Sequence, residues 1–153
     1  MKANQKLKEN PRIYCVHYNQ CDPKKCSALK LKKFNLITFI PKIDKKLKHA
    51  IVLTPFSNKQ ISLEDRKIIL EFGLIVLDCS WKNVLNISKE HFKNGRRLPS
   101  FIAANPTNYG KWEKLSSVEA IAAALYITEF EWYAKFLLSK FSWGEEFLKL
   151  NFN

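Results

Sequence analysis

The sequence predicts an α/β fold, a mostly parallel sheet within residues 1–100 followed by a helical C-terminal region over 101–153. Three observations predict it. Short apolar runs in the first two thirds are continuous rather than alternating, as in strands buried on both faces of a parallel sheet. One well-punctuated helix leads directly into such a run, and strand signals fade after Asn105-Pro106, where long helical patterning takes over.

Five runs read as strands, at residues 13–17, 36–40, 50–54, 74–79 and 101–104. The helix at 62–72 has Ser62 as N-cap, Asp65 three residues later, and Gly73 where the chain needs a left-handed stop. Ser116-Ser117-Val118-Glu119 is a second capping box, expected to open one long helical segment reaching Lys140. The tail carries Phe141, Trp143, Phe147 and Phe152 at near-helical spacing, expected to pack as core rather than to form a base-stacking platform.

With 153 residues, 46% hydrophobic and 13% aromatic, the chain can bury one substantial core. Only 4 Gly and 6 Pro are present, so no stretch has linker composition. A net charge of +12 points to an anionic partner, because a positive surface gathers polyanions and releases their counterions. RNA, DNA and acidic lipid all satisfy that charge, and a lysine excess can also simply keep a protein soluble. No run approaches the ~20 apolar residues of a membrane span, and the Lys-rich start lacks the apolar stretch of a signal peptide, so a cytoplasmic location is expected. Cys15, Cys21, Cys26 and Cys79 are then expected as reduced thiols. Cys21 and Cys26 stand too far apart for the usual zinc knuckle, though His17 could complete a looser site; no metal is expected.

Three stretches could carry chemistry. Cys21-Asp22-Pro23-Lys24-Lys25-Cys26-Ser27 follows a strand and offers lysines, a hydroxyl and backbone amides to a phosphate or carboxylate; it also reads as an ordinary Asp-Pro turn. Leu77-Asp78-Cys79-Ser80-Trp81 delivers a carboxylate and an indole at the C-terminal end of a strand, where open α/β sheets bind ligands. Asp78 could act as a base and Trp81 receive a sulfonium or other cation, or the two could cap a helix and plug the core. The third runs from Gly95-Arg96-Arg97 to Tyr109-Gly110, with small residues that admit a ligand and two arginines that would clamp phosphate at a rim. A turn with a solvated basic flank is the plainer reading.

On Cys21 to Lys25, Leu77 to Trp81, Leu98 to Gly110, Lys114 to Ile127 (KLSSVEAIAAALYI) and Phe141 to Asn151, the chain resembles the archaeal and eukaryotic small-subunit rRNA aminocarboxypropyltransferase family. The matches touch nearly the whole chain, and it is their order and spacing that are specific. The resemblance implies a SPOUT-like domain with a deep trefoil knot, which no sequence pattern here would suggest. It implies S-adenosylmethionine as donor of a 3-amino-3-carboxypropyl group to N3 of a pseudouridine, one that usually also carries N1-methyl, with 5′-methylthioadenosine leaving. The protein must then aim the methionine-side methylene at the RNA and hide the methyl.

Carried over by position, Trp81 and Val84 would shelter the methyl, Ser27 would touch the aminocarboxypropyl end, Leu77 and Phe101 would hold ribose and adenine through backbone groups, and Ser116 and Ala120 would close over the ligand. Asp78 is the expected base or sulfonium-stabilising carboxylate. Lys24, Lys25, Lys30, Lys32, Lys33, Arg96 and Arg97 are expected to bind RNA. Cys26-Ser27-Ala28 departs from the family's more usual Cys-Thr-Gly, and Lys111-Trp112-Glu113 from its Arg-Pro pair. The expected substrate is small-subunit rRNA or a pre-ribosomal particle, acted on by a monomer, with no DNA or membrane. A methyltransferase of the same fold and a non-catalytic assembly factor are the competing readings.

Overall fold

The computed structural model describes residues 10–17, 26–78 and 91–152. Its sheet contains β1 (Ile13–His17), β2 (Thr38–Ile40), β3 (Ile51–Leu53), β4 (Leu74–Asp78) and β5 (Gly95–Arg96), in the order β2-β1-β4-β3-β5, every neighbour parallel. The helices are α1 (Ser27–Lys33), α2 (Arg66–Phe72), α3 (Ser117–Ile127), α4 (Glu131–Leu138) and α5 (Gly144–Phe152). No described helix is long and apolar enough to cross a membrane.

The continuous apolar runs have the predicted cause. Cys15, Leu74, Val76, Ile51 and Leu53 join the main core with α1, α3 and the two last helices, while Val16, Val52 and Ile75 form a smaller cluster with Ala50, Phe72 and Phe92. A strand covered on both faces gains nothing from polar alternation. Four of the five predicted strands are present, two of them shortened. The fifth is corrected: residues 101–104 contribute only an antiparallel bridge, Ile102 to Trp112, and the edge strand is Gly95–Arg96 beside β3. Phe101 and Ala104 are apolar because they pack into the main core with the C-terminal helices.

Both capping boxes form. The Ser62 N–H donates to Asp65 Oδ2 at 3.0 Å, although the first turn after it, Leu63–Asp65, is a 3₁₀ turn before α2 begins. Gly73 has φ of +99°, and a Cβ there would sit 3.0 Å from the carbonyl of Arg12, so this one-residue link from α2 to β4 needs glycine.

The predicted long helix is interrupted. After α3 the Phe130 N–H donates to the Leu125 carbonyl at 2.7 Å and the Glu129 N–H to the Tyr126 carbonyl at 3.2 Å, the paired bonds of a Schellman stop. Glu129 takes the left-handed position, with φ of +62°. Arg66 from α2 donates to the carbonyls of Thr128 and Glu129, at 3.0 and 2.7 Å, closing the exposed helix end with a cation where the dipole favours one. Since a non-glycine residue costs roughly 1–2 kcal/mol in this conformation, Glu129→Gly is expected to stabilise the fold by about 1 kcal/mol after the entropy of the unfolded glycine is counted. Thermal unfolding checks this as a rise of about 2–4 °C.

The aromatic tail is core, as expected: Phe147 is fully buried, Phe141 is buried, and Trp143 and Phe152 pack against the core. Asn151 on α5 completes the seam, its side-chain oxygen accepting from the Ile102 N–H at 2.8 Å and its amide donating to the Ile102 carbonyl at 2.9 Å.

Candidate functional site

In the sheet order, β1 continues outward to β2 while β4 continues across to β5 beyond β3, so the connections diverge between neighbouring β1 and β4. This divergence is the switch point at which open parallel sheets leave a crevice at their C-terminal ends. The last residues of the two strands, His17 and Asp78, are partners in register there. Their side chains meet, His17 Nε2 lying 3.3 Å from Asp78 Oδ2. Cys26, the N-cap residue of α1, donates its thiol to the same oxygen at 3.5 Å and lies 3.6 Å from His17 Nε2. Phe39 of β2 stacks on the imidazole at 4.7 Å and holds its plane.

Ser27 begins α1, and its hydroxyl accepts the N–H of Val118 in the first turn of α3 at 3.1 Å. This bond crosses 91 residues of sequence. It brings Ser27 and Ser116, the N-cap of α3, onto the wall of one cavity of about 590 Å³, shared with Cys26, Asn105, Pro106 and Trp143. The size suits a nucleoside-sized ligand. Glu119 holds the wall: its carboxylate accepts the Ala104 N–H at 2.6 Å, the Asn105 side-chain amide at 2.6 Å and the Ser116 N–H at 2.9 Å. A second cavity of about 840 Å³ opens at the same edge on the other sheet face, lined by Val16, Val52, Leu77 and Phe92, with Lys48 and Lys93.

The expected site residues are thus partly assembled. Asp78, Ser27 and Ser116 converge on the switch point. Leu77 turns its side chain to the opposite cavity, as strand alternation requires. Ala120 packs on the core one turn into α3, and Phe101 is buried against Phe147 and Phe152, with its carbonyl accepting the Glu113 N–H at 3.0 Å. Trp81, Val84, Lys24 and Lys25 lie outside the described residues, as do Cys21 and Cys79. Lys30, Lys32 and Lys33 are exposed along α1.

The expected phosphate clamp of Arg96 and Arg97 is corrected for Arg96. Arg96 is buried, its Nε 3.1 Å from Asp65 Oδ1 and its Nη1 donating to the Gly95 carbonyl at 2.9 Å. Arg97 is half-buried and donates to the carbonyls of Asn58 and Ser57, at 2.5 and 3.4 Å, pinning the loop after β3. Both guanidiniums serve the fold. Asp65 had a visible signal in its capping box, but its pairing with Arg96 joins positions that no local pattern connects. The central places of His17 and Glu119 were missed for the same reason.

Residues 51–153 match the family model described as "Ribosome biogenesis protein, C-terminal". Residues 11–45 match one described as "Possible Fer4-like domain in RNase L inhibitor, RLI". The described donors near that segment, His17, Cys26 and Asp78, have ligand atoms within 4.8 Å of one another but include one sulfur only. Among the described residues, that set lacks the four thiolates an iron–sulfur cluster takes.

The chain is 46% identical over 143 residues to the 16S rRNA aminocarboxypropyltransferase of Methanocaldococcus jannaschii, covering 93% of this chain and 83% of the relative. It is 46% identical over 141 residues to the protein of the same name from Thermoplasma volcanium, covering 92% and 85%. Among solved structures, the SAM-dependent rRNA:acp-transferase Tsr3 from Vulcanisaeta distributa superposes with a TM-score of 0.84 at 38% identity, covering 91% of this chain and 77% of that one. With its fold and most of its length shared, the chain belongs to the 16S rRNA aminocarboxypropyltransferase family.

Proposed function

We propose that this chain transfers the 3-amino-3-carboxypropyl group of S-adenosylmethionine to N3 of a pseudouridine, N1-methylated or not, in small-subunit rRNA during ribosome biogenesis. The observation that carries the reading is the cavity at the switch point, with Ser27 and Ser116 on its wall and the carboxylate of Asp78 at the adjoining strand end. Its volume and polar wall fit the cofactor. When bound, S-adenosylmethionine supplies the electrophilic methylene beside its sulfonium, which N3 attacks with departure of 5′-methylthioadenosine.

The chain's own residues supply orientation and a proton acceptor. Ser27 and Ser116 bound the aminocarboxypropyl end, Ala120 and Phe101 support the wall, Leu77 contributes backbone at the strand end, and Trp81 and Val84 shelter the methyl. Asp78 takes the proton that leaves N3, and His17 holds that carboxylate in place from 3.3 Å. Lys24, Lys25, Lys30, Lys32 and Lys33 draw the RNA backbone toward the opening. At the finer level the sheet is SPOUT-like with a trefoil knot, residues 1–100 and 101–153 are its two parts, and the protein acts in the cytoplasm as a monomer on rRNA or a pre-ribosomal particle.

The test incubates the protein and small-subunit rRNA lacking the modification with S-adenosylmethionine labelled in either the carboxyl or the methyl carbon. Carboxyl label alone in RNA is expected. Methyl label alone would make the chain a methyltransferase, and cofactor binding with neither label would favour the assembly-factor reading. In the same assay Asp78→Asn is expected to lower kcat by about 100-fold or more with cofactor affinity little changed. A fall in cofactor affinity instead would assign Asp78 to the sulfonium rather than to the proton.

A further inference from the structure

Among the exposed aromatic residues, Phe34, at the end of α1, is 49% exposed, and Trp132, at the start of α4, is 39% exposed. They are the ends of one connected ladder. Trp132 stacks on Phe136 with centroids 5.5 Å apart and planes 6° from parallel. Lys140 places its ammonium 4.6 Å from the Phe136 ring centroid and 5.1 Å from that of Phe34. Positions 132 and 136 are four residues apart on α4 and share one of its faces, and Lys140 follows in the turn beyond the helix end.

Phe34 also lines the cavity at the switch point, beside Lys30 and Lys33, so the ladder begins at the mouth of the site and leads away from it. From the cavity mouth to Lys140 its charge is positive. Residues 27–36 and 136–144 contain Lys30, Lys32, Lys33 and Lys140 and no Asp or Glu. At the far end Trp132 shares a pocket with Glu129 and Glu131, the latter paired with Lys135 at 2.8 Å. Two exposed rings joined through Phe136 and the ammonium of Lys140 suit a strand that offers flat bases on an anionic backbone: bases stack on rings regardless of sequence, and phosphates draw cations. A duplex, with its bases already stacked, has no faces to give.

We propose that the ladder Phe34, Lys140, Phe136 and Trp132 is a docking track for the single-stranded RNA flanking the modified base, holding it while that base enters the cavity. The proposal rests on the rRNA-modifying reading above and adds to it a stacking surface supplied by the C-terminal helices. It also gives Lys140 and the exposed rings a purpose that packing alone does not.

The test measures binding of a short single-stranded RNA, and of the same sequence as a duplex, by fluorescence anisotropy across a salt series. Phe34→Ala and Trp132→Ala are each expected to weaken single-strand binding by about 5-fold or more with the salt slope unchanged. Lys140→Gln is expected to weaken it and flatten the slope by about 0.7. Trp132→Phe keeps a stacking face and is expected to restore most of the affinity, which separates stacking from loss of the fold. Cofactor affinity is expected to stay unchanged in Trp132→Ala, Trp132→Phe and Lys140→Gln, none of which touches the cavity wall.

Unchanged RNA affinity in Phe34→Ala, Trp132→Ala and Lys140→Gln would overturn the track, as would equal loss of single-strand and duplex binding. Loss of a ribosomal protein partner with RNA binding intact would overturn it too. Aminocarboxypropyl transfer by the wild-type chain is scored separately. A chain that modifies RNA normally in all these variants discards the track alone, whereas one that binds RNA through the ladder but transfers no group discards the activity alone.

Discussion

Glu119→Ala is expected to destabilise the protein by about 3–5 kcal/mol and to abolish high-affinity cofactor binding before global unfolding sets in. The carboxylate is fully buried and accepts the Ala104 N–H, the Asn105 side-chain amide and the N–H and hydroxyl of Ser116. Removing it leaves several donors without an acceptor where water does not reach, each costing about 1–3 kcal/mol. These donors are the parts that hold the 104–107 loop against the start of α3, so the wall of the cavity should loosen as well. Glu119→Gln keeps one acceptor oxygen but brings an amide NH2 against donors, so an intermediate loss is expected. Chemical denaturation gives the stability change, and cofactor titration by calorimetry the effect on the site. A change below 1 kcal/mol in Glu119→Ala would mean that the loop finds other acceptors.

Asp65→Ala is expected to cost about 3–5 kcal/mol, because it strands the guanidinium of Arg96 in the interior. The two side chains are 7% and 2% exposed and 3.1 Å apart. Asp65 also accepts the Ser62 N–H, so the same change removes half of a capping box. The companion expectation is that Asp65→Leu combined with Arg96→Met costs less than Asp65→Ala alone, since an apolar pair leaves no charge to desolvate. A double-mutant cycle in denaturant checks both values. The pair also bears on RNA binding: with Arg96 buried, the double variant should bind RNA with wild-type salt dependence. A flatter slope would restore Arg96 to the RNA-binding surface.

Much of this was legible in the sequence, and for a common reason. Strands β1 to β4, the two capping boxes and the glycine between α2 and β4 are set by local chemistry: continuous apolar runs, a hydroxyl three residues before a carboxylate, a backbone that excludes a Cβ. Asp78 was legible because a carboxylate ending an apolar strand stands at the strand's C-terminal edge whatever the sheet order. The order and spacing of the motifs carried the family.

Only the tertiary structure could decide what depends on distant partners. Residues 101–104 read as a strand because apolar character looks the same whether a segment pairs in a sheet or packs beneath helices. The helix after Ser116 read as continuous because its stop uses a glutamate in a left-handed conformation, secured by Arg66 from 63 residues away. Arg96 read as a surface cation because its partner lies 31 residues earlier. His17 and Cys26 gained their place beside Asp78 only when parallel pairing brought the ends of β1 and β4 together. Composition and short motifs record what each residue prefers nearby; which residues meet is settled by the register of the sheet and the burial of the core.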